Sequence, residues 1–398
     1  MKINFLLTIT VVLLMTGCLN RTGNPDSVTG INPKTATDSG LKVKERTFGT
    51  TGDGLEVNSF TLYNGKGMEI EIIEFGAIVK AIRVPDKDGN IADVVLGYDD
   101  IEGYQNDAYY FGATIGRVAN RMGGAEFKLN GRSYDLAPNT LPDFGKNHLH
   151  GGVKGFNKVL WKGEIFSSDS IVGVTLNYVS RDGEEGYPGN LSCIVEYSLN
   201  MDNELGIRFS ATTDQPTLVN MTHHSYFNLA GEGAGTILDH LIQINADLYT
   251  PADDDLIPTG EIVPVSGLPV DFREEATVGS RIEKMQSAKF KGFDLNYIIS
   301  SGQDGDLKYA AKAFDPSSGR LLEVFTTQPC MHFYTGNFLS GETGKGGVPY
   351  NRYGALCFEP QGFPDAPHHE NFLPVKLEPG ETYDQKIIYR FSSVRVNQ

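Results

Sequence analysis

Leu62-Tyr63-Asn64-Gly65-Lys66-Gly67-Met68-Glu69-Ile70-Glu71-Ile72-Ile73 reads as two strands, Leu62–Tyr63 and Met68–Ile73, flanking a hairpin-type turn. Asn-Gly favours the left-handed backbone such turns use. A strand alternates its side chains between two faces, so runs with a period of two mark half-buried strands. The same grammar recurs along the chain. Asn130-Gly131 separates Phe127–Leu129 from Ser133–Leu136, and Pro85-Asp86-Lys87-Asp88-Gly89-Asn90 separates Ile78–Val84 from Asp93–Leu96. Further two-period runs are Ile171–Val179, Cys193–Leu199, Leu205–Ala211, Leu241–Ala246, Leu321–Thr327 and Gln385–Phe391. Only Thr277–Met285 offers a helical period, with Val278, Ile282 and Met285 on one face. Many strands with few short helices predict an all-β fold, one large antiparallel β-sandwich.

Composition agrees. A chain of 398 residues, 40% hydrophobic, can bury a sizeable core, and its 46 Gly, 18 Tyr and 22 Phe suit aromatic-rich strands joined by many turns. The formal charge of -16 argues against nucleic acid or an anionic membrane surface as a partner. No repeat and no internal linker divides the chain.

The first residues read as a targeting segment. Lys2, an apolar run from Ile3 to Met15, and Thr16-Gly17-Cys18 describe an export signal over residues 1–17, too short to span a bilayer. Leu-Met-Thr-Gly-Cys resembles a bacterial lipobox, which implies cleavage before Cys18 and lipid on its thiol. Residues 18–42, rich in Thr, Asn, Gly, Pro, Ser and Asp, then form a tether. The folded domain is expected over residues 43–396, held at the cell envelope on its periplasmic or outer side. Cys193, Cys330 and Cys357 are widely spaced and odd in number, so buried free thiols are expected.

Six constellations could carry chemistry. Gly116-Arg117-Val118-Ala119-Asn120-Arg121 offers two guanidinium forks and an amide. In Asn147-His148-Leu149-His150-Gly151-Gly152, a strand would place both rings on one face, a metal half-site, but no third ligand has a fitting spacing, and the Gly-Gly that follows favours one histidine lining a polar pocket. In Asn220-Met221-Thr222-His223-His224-Ser225-Tyr226-Phe227-Asn228-Leu229, an extended backbone sends the two histidines opposite ways. Gly292-Phe293-Asp294 supplies a carboxylate between aromatics. Thr326-Thr327-Gln328-Pro329 precedes Phe333-Tyr334-Thr335-Gly336-Asn337. Glu359 follows an apolar run, Gly354 to Phe358, and opens a stiff Pro-rich loop, where a general base at a strand end is plausible. Asp253-Asp254-Asp255 reads as a solvated loop, with a structural cation left open.

Taken in order, Gly-Arg-x-Ala-Asn-Arg, Leu-His-Gly-Gly, His-Ser-Tyr-Phe-Asn-Leu, Gly-Phe-Asp, Thr-Thr-Gln-Pro and Glu-Pro-Gln-x-x-Pro-Asp-Ala resemble the aldose 1-epimerase, or galactose mutarotase, family over residues 45 to 391. The resemblance implies that family's large antiparallel supersandwich and interconversion of aldohexose anomers by ring opening. It makes Glu359 the base on the anomeric hydroxyl and His224 the acid on the ring oxygen. Asn120, Arg121, His150, Asp294 and Gln328 would then hold the sugar. Proton movement alone asks for no metal or redox cofactor, and a monomer with a small sugar as its partner is expected. His223 and Leu295 depart from residues often found there. A non-catalytic sugar-binding lipoprotein and an epimerase of a related sugar or sugar phosphate are the alternatives.

Overall fold

Alternation decides which face of each strand is buried. In the strand Leu191–Asn200, Leu191, Cys193, Val195, Tyr197 and Leu199 are buried while the residues between them are partly or fully exposed. Such strands assemble a sheet with one dry face, and the dry faces then find each other. The computed structural model describes residues 40–285, 290–299 and 305–395. All of them belong to one compact unit. The signal segment, Cys18 and nearly all of the tether lie outside the described residues. Of the tether's end, Leu41 is fully buried and Lys42 opens the first strand, Lys42–Thr50.

Three larger sheets organise the described residues. A five-stranded antiparallel meander runs Lys42–Thr50, Glu56–Tyr63, Glu69–Ile73, Ile78–Pro85 and Ile91–Asp93. A nine-stranded sheet has Lys162–Ser167 at one edge and Ala276–Thr277 at the other, with Leu191–Asn200, Glu204–Thr213 and Tyr383–Ser393 as consecutive neighbours inside it. A second five-stranded sheet orders Val263–Pro264, Leu248–Thr250, Asp294–Ile298, Cys330–Tyr334 and Cys357–Gln361.

One apolar cluster joins all three. Phe60 and Ile72 from the meander, Val195, Ile207 and Val324 from the nine-stranded sheet, and Phe333 and Phe358 from the second small sheet belong to it. Tyr389 of the nine-stranded sheet also donates its hydroxyl to the Phe358 carbonyl, 2.8 Å away. The nine-stranded sheet therefore packs against the two smaller sheets, a sandwich as the strand pattern predicts. Each large apolar side chain buried there contributes about 1.5–3 kcal/mol.

Local departures have local causes. The run Asp93–Leu96 is a strand only as far as Asp93. Asp93 Oδ1 accepts from the backbone N–H of Ile82 and of Val95, so a side chain takes the place of ladder bonds. The helical period at Thr277–Met285 becomes the helix Val278–Ile282 and a 3-10 turn, Glu283–Met285, with Thr277 as its N-cap. A helix that periodicity did not reveal, Ile101–Asn106, is capped by Asp100, whose side chain accepts from the Gly103 N–H. Cys193, Cys330 and Cys357 are buried free thiols.

Candidate active site

Three neighbouring strands build the floor of a cleft. Asp294–Ile298, Cys330–Tyr334 and Cys357–Gln361 pair antiparallel, with Asn296 opposite His332 and His332 opposite Glu359. Leu295, Phe333 and Phe358 point into the common core. The alternate residues Asp294, His332 and Glu359 face the other way and line the cleft. Glu359 thus stands in the middle of its strand, only 1% exposed, and not at a strand end as the sequence suggested.

A short strand, Thr222–His224, pairs with Ala113–Ile115 and brings in the histidine. Alternation separates the adjacent rings as expected. His223 Nε2 meets Ser225 Oγ at 2.7 Å, and its ring packs near Tyr197 and Tyr389. His224 enters the cleft, where Tyr226 stacks on it with ring centroids 5.1 Å apart. The two departures from the family pattern both turn away from the cleft: His223 is fully buried and Leu295 lies in the core.

Asn120 and His150 are sewn together. The His150 N–H donates to the Asn120 carbonyl, and the Asn120 N–H donates to His150 Nδ1 at 3.2 Å. Both residues adopt a left-handed backbone, with φ of 61° and 51°. The next residue must be glycine, since a Cβ on Gly151 would sit 1.8 Å from the Gly116 carbonyl oxygen. This turn parts the two histidines, so that one of them, His150, lines a polar pocket as expected and the metal half-site does not form. The strand is only His148–Leu149, and His148 instead points its Nδ1 at the Ala137 carbonyl, 2.8 Å away. The two arginines part as well. Arg117 is buried among Ser180, Thr217 and the carbonyls of Arg181, Pro188 and Gly189, a structural cage, whereas Arg121 lines the cleft.

The assembled cleft has a volume of about 580 Å³, within the usual range for a small-molecule site. His224 Nε2 lies 3.5 Å from Glu359 Oε1. Asp294 Oδ1 lies 2.6 Å from His332 Nε2, and its Oδ2 lies 3.7 Å from Arg121 Nη2. Burial pushes Glu359 well above the usual carboxylate range; the charge of Asp294 adds to this and Arg121 opposes it. Burial likewise drives His224 down to about 3 and His150 well below its ordinary value. Burial also disfavours the charge on Asp294, but Arg121 and the His332 hydrogen bond prevail and hold it low. Burial thus favours the neutral forms of Glu359 and His224, while Arg121 and His332 favour the ionised form of Asp294. Glu359 Oε2 and Arg121 Nε are buried without a hydrogen-bonding partner among the described residues. Polar atoms in that state suit a ligand rich in hydroxyls.

Residues 58–390 match the family model described as aldose 1-epimerase. Galactose mutarotase from Bos taurus is 44% identical over 337 residues, 84% of this chain and 94% of that protein. Aldose 1-epimerase from Escherichia coli (strain K12) is 36% identical over 342 residues, 85% of this chain and 96% of that protein. The chain belongs to the aldose 1-epimerase family. Solved structures agree with the fold: an aldose epimerase homologue from C. elegans superposes with a TM-score of 0.75 at 32% identity, covering 83% of this chain and 97% of the other. Galactose 1-epimerase from Lactobacillus acidophilus NCFM gives 0.77 at 26% identity, covering 89% and 100%.

Of the residues expected to serve this epimerase, Asn120, Arg121, His150, His224, Asp294 and Glu359 line one cleft. Gln328 does not. It lies on a separate, smaller depression, donating to the Tyr383 hydroxyl at 2.9 Å. The residue that the sequence reading missed is His332, four positions on. It stands on a strand buried on both faces, so no wet–dry alternation marks it. Tyr110, Tyr226 and Tyr334 complete the wall; Tyr226 and Tyr334 belong to motifs that the sequence singled out without giving them a role, and Tyr110 to none. The Asp253 carboxylate accepts from the N–H groups of Asp255 and Ile257, tying its loop to itself.

One grouping invites a metal reading. Donor atoms of His150, His224 and Glu359 lie within 4.8 Å of one another. The His150 Nδ1 lone pair, however, is taken by the Asn120 N–H, so the neutral ring offers the cleft an Nε2–H. A proton there suits a sugar hydroxyl and opposes ligation.

Proposed function

We propose that this isomerase interconverts α and β aldohexose anomers with Glu359 as general base and His224 as general acid. The reading is carried by their 3.5 Å approach inside the cleft. Passing the shared proton from Glu359 to His224 gives a carboxylate and an imidazolium without changing the net charge of the cleft. Asp294 favours that imidazolium by its own charge. Glu359 then takes the proton of the anomeric hydroxyl as the C1–ring oxygen bond breaks, and His224 delivers its proton to the ring oxygen. The products are an open-chain aldehyde, a protonated Glu359 and a neutral His224. Rotation about C1–C2 presents the other face of the carbonyl. Reclosure returns a proton from the ring-oxygen hydroxyl to His224 and one from Glu359 to the new anomeric oxygen. Protons balance, and each positioned acid or base contributes about 10²- to 10⁴-fold.

His150 offers Nε2–H, Asn120 an amide and Arg121 a guanidinium to the sugar hydroxyls, while Asp294 accepts. Galactose and glucose are the substrates we expect. The test is the optical rotation of fresh α-D-galactose and α-D-glucose with residues 1–40 removed. Accelerated relaxation that collapses in Glu359→Gln supports the reading. Sugar binding without acceleration would replace it with a binding protein.

We further propose that the enzyme works at the cell envelope as a monomer, tethered through lipid on Cys18. The basic, apolar and Gly-Cys order of residues 2–18 supports this. Detergent-phase recovery that is lost in Cys18→Ser would agree, and a wholly cytoplasmic protein in fractionated cells would end it.

A further inference from the structure

A second couple lies beside the acid–base pair on the cleft floor. His332 is the cross-strand neighbour of Glu359. Its Nε2 meets Asp294 Oδ1 at 2.6 Å, a short hydrogen bond between a ring nitrogen and a carboxylate oxygen. Both residues sit on adjacent strands, so the backbone sets the contact. His332 is 5% exposed and Asp294 6%, so water competes little for either. The His332 Nδ1 has no hydrogen-bonding partner among the described residues, and among these Asp294 is the polar group that orients the ring.

We propose that His332 is a positioning residue for the epimerisation: its hydrogen bond fixes the Asp294 carboxylate in one orientation on the cleft floor and so sets how the sugar is held against Glu359 and His224. The inference rests on the epimerase reading above. Arg121 cannot do this alone. At 3.7 Å it attracts Asp294 Oδ2 without making a hydrogen bond, and Oδ1 would be left bare. A bare buried carboxylate oxygen takes up a proton or swings towards another donor.

The charged and titratable groups around the couple come from every neighbouring segment. Arg121 and His150 stand on the sewn turns, and His224 and Tyr226 on the segment that follows Met221. Tyr110 lies in the loop after the helix Ile101–Asn106, Glu359 and Cys357 are on the adjacent strand, and Tyr334 is on His332's own strand. Of these, Arg121 is the guanidinium that faces Asp294, at 3.7 Å. Removing His332 therefore leaves Asp294 one distant cation and no donor. The His332 hydrogen bond is among the causes that hold Asp294 low, so its loss moves Asp294 upward. Activity that needs ionised Asp294 then fails at a higher pH.

The experiment compares wild type, His332→Phe and His332→Gln by polarimetry on galactose from pH 4 to pH 9, with thermal melts on each. Phe keeps the bulk and removes the donor, whereas Gln restores an N–H at similar reach. The expected result is a KM raised about tenfold or more in His332→Phe, a smaller loss in kcat and an acid limb moved to higher pH, with Gln recovering both. If His332→Phe does not fold, the Gln variant and the wild-type imidazole 15N shifts decide. An unprotonated Nε2 facing Asp294 would overturn the proposal. So would unchanged KM and acid limb in His332→Phe with an active wild type. Equal kcat losses in both variants at every pH would overturn it too, by making His332 a direct proton-transfer group. An inert wild type would remove the epimerase reading itself.

Discussion

His224 and Glu359 face each other at 3.5 Å, yet their environments push them apart in opposite directions, the carboxyl upward and the imidazole down to about 3. A formal ion pair and a neutral pair contain the same single proton. Burial selects the neutral arrangement, so the acid–base couple is poised one proton hop from its reactive form.

That poise has a stability cost with a definite sign. Glu359 is raised above its unfolded value of 4.5, so its contribution to stability is fully present below that pH and is lost as pH rises through the folded value. As pH rises, the fold increasingly opposes ionisation of this carboxyl. Glutamine has nothing to ionise. Glu359→Gln should therefore lose about 10²-fold or more in rate while melting at a higher temperature than wild type at pH 8. The difference should vanish below pH 4.5. A variant that melts lower at pH 8 would show that the ionised carboxylate is the favoured state in the fold.

The adjacent histidines separate structure from chemistry. His223→Asn removes a core hydrogen bond to Ser225 and ring packing near Tyr197, and should lower stability by about 1–3 kcal/mol with kcat changed only a few-fold. His224→Asn should lose about 10²-fold or more in kcat. Burial holds both rings at about 3 and His240 at about 4. Stability from these three is present above their ordinary value of 6.5 and is lost as pH falls towards their folded values. The melting temperature of wild type should accordingly decline below pH 6.5, and less steeply in His223→Asn. Swapped effects of the two variants on kcat would reverse the assignment of the rings.

Much of the fold was legible because many strands have one wet face. Leu191–Asn200 and Glu204–Thr213 alternate cleanly, and their extents follow from the pattern to within a few residues. The strands that carry the site do not alternate in this way. All five residues of Cys330–Tyr334 and all five of Cys357–Gln361 are buried, since one face meets the core and the other meets the cleft. Polarity along such a strand does not report which residues face water, and so His332 went unnoticed while Gln328 was chosen from a neighbouring motif. The divergence of His148 from His150 was hidden for a different reason. It depends on a left-handed φ at His150, stabilised by the reciprocal bonds with Asn120, a contact between residues thirty apart. Adjacent histidines on an extended segment, by contrast, must diverge, and those at 223 and 224 do.

Gln328 tests this correction directly. Its side chain bonds the Tyr383 hydroxyl on the nine-stranded sheet and takes no part in the cleft. Gln328→Met should leave KM for galactose unchanged and lower the melting temperature, through loss of about 1 kcal/mol for a partly buried hydrogen bond. A raised KM at unaltered stability would return Gln328 to the sugar site.

Chelation separates the proton-transfer reading from the metal reading of the same three side chains. His150, His224 and Glu359 converge closely enough for one ion. But the Asn120 N–H occupies Nδ1 of His150, and burial disfavours the charged carboxylate of Glu359, so two of the three are poorly set to ligate. Dialysis against EDTA should therefore leave the rate unchanged, and Asn120→Ala, which retains the backbone N–H, should not create metal dependence. Loss of rate on chelation with recovery on adding zinc would mean that His150 flips or changes tautomer in the working enzyme. The acid–base assignment of Glu359 and His224 would then have to be rebuilt around a bound ion.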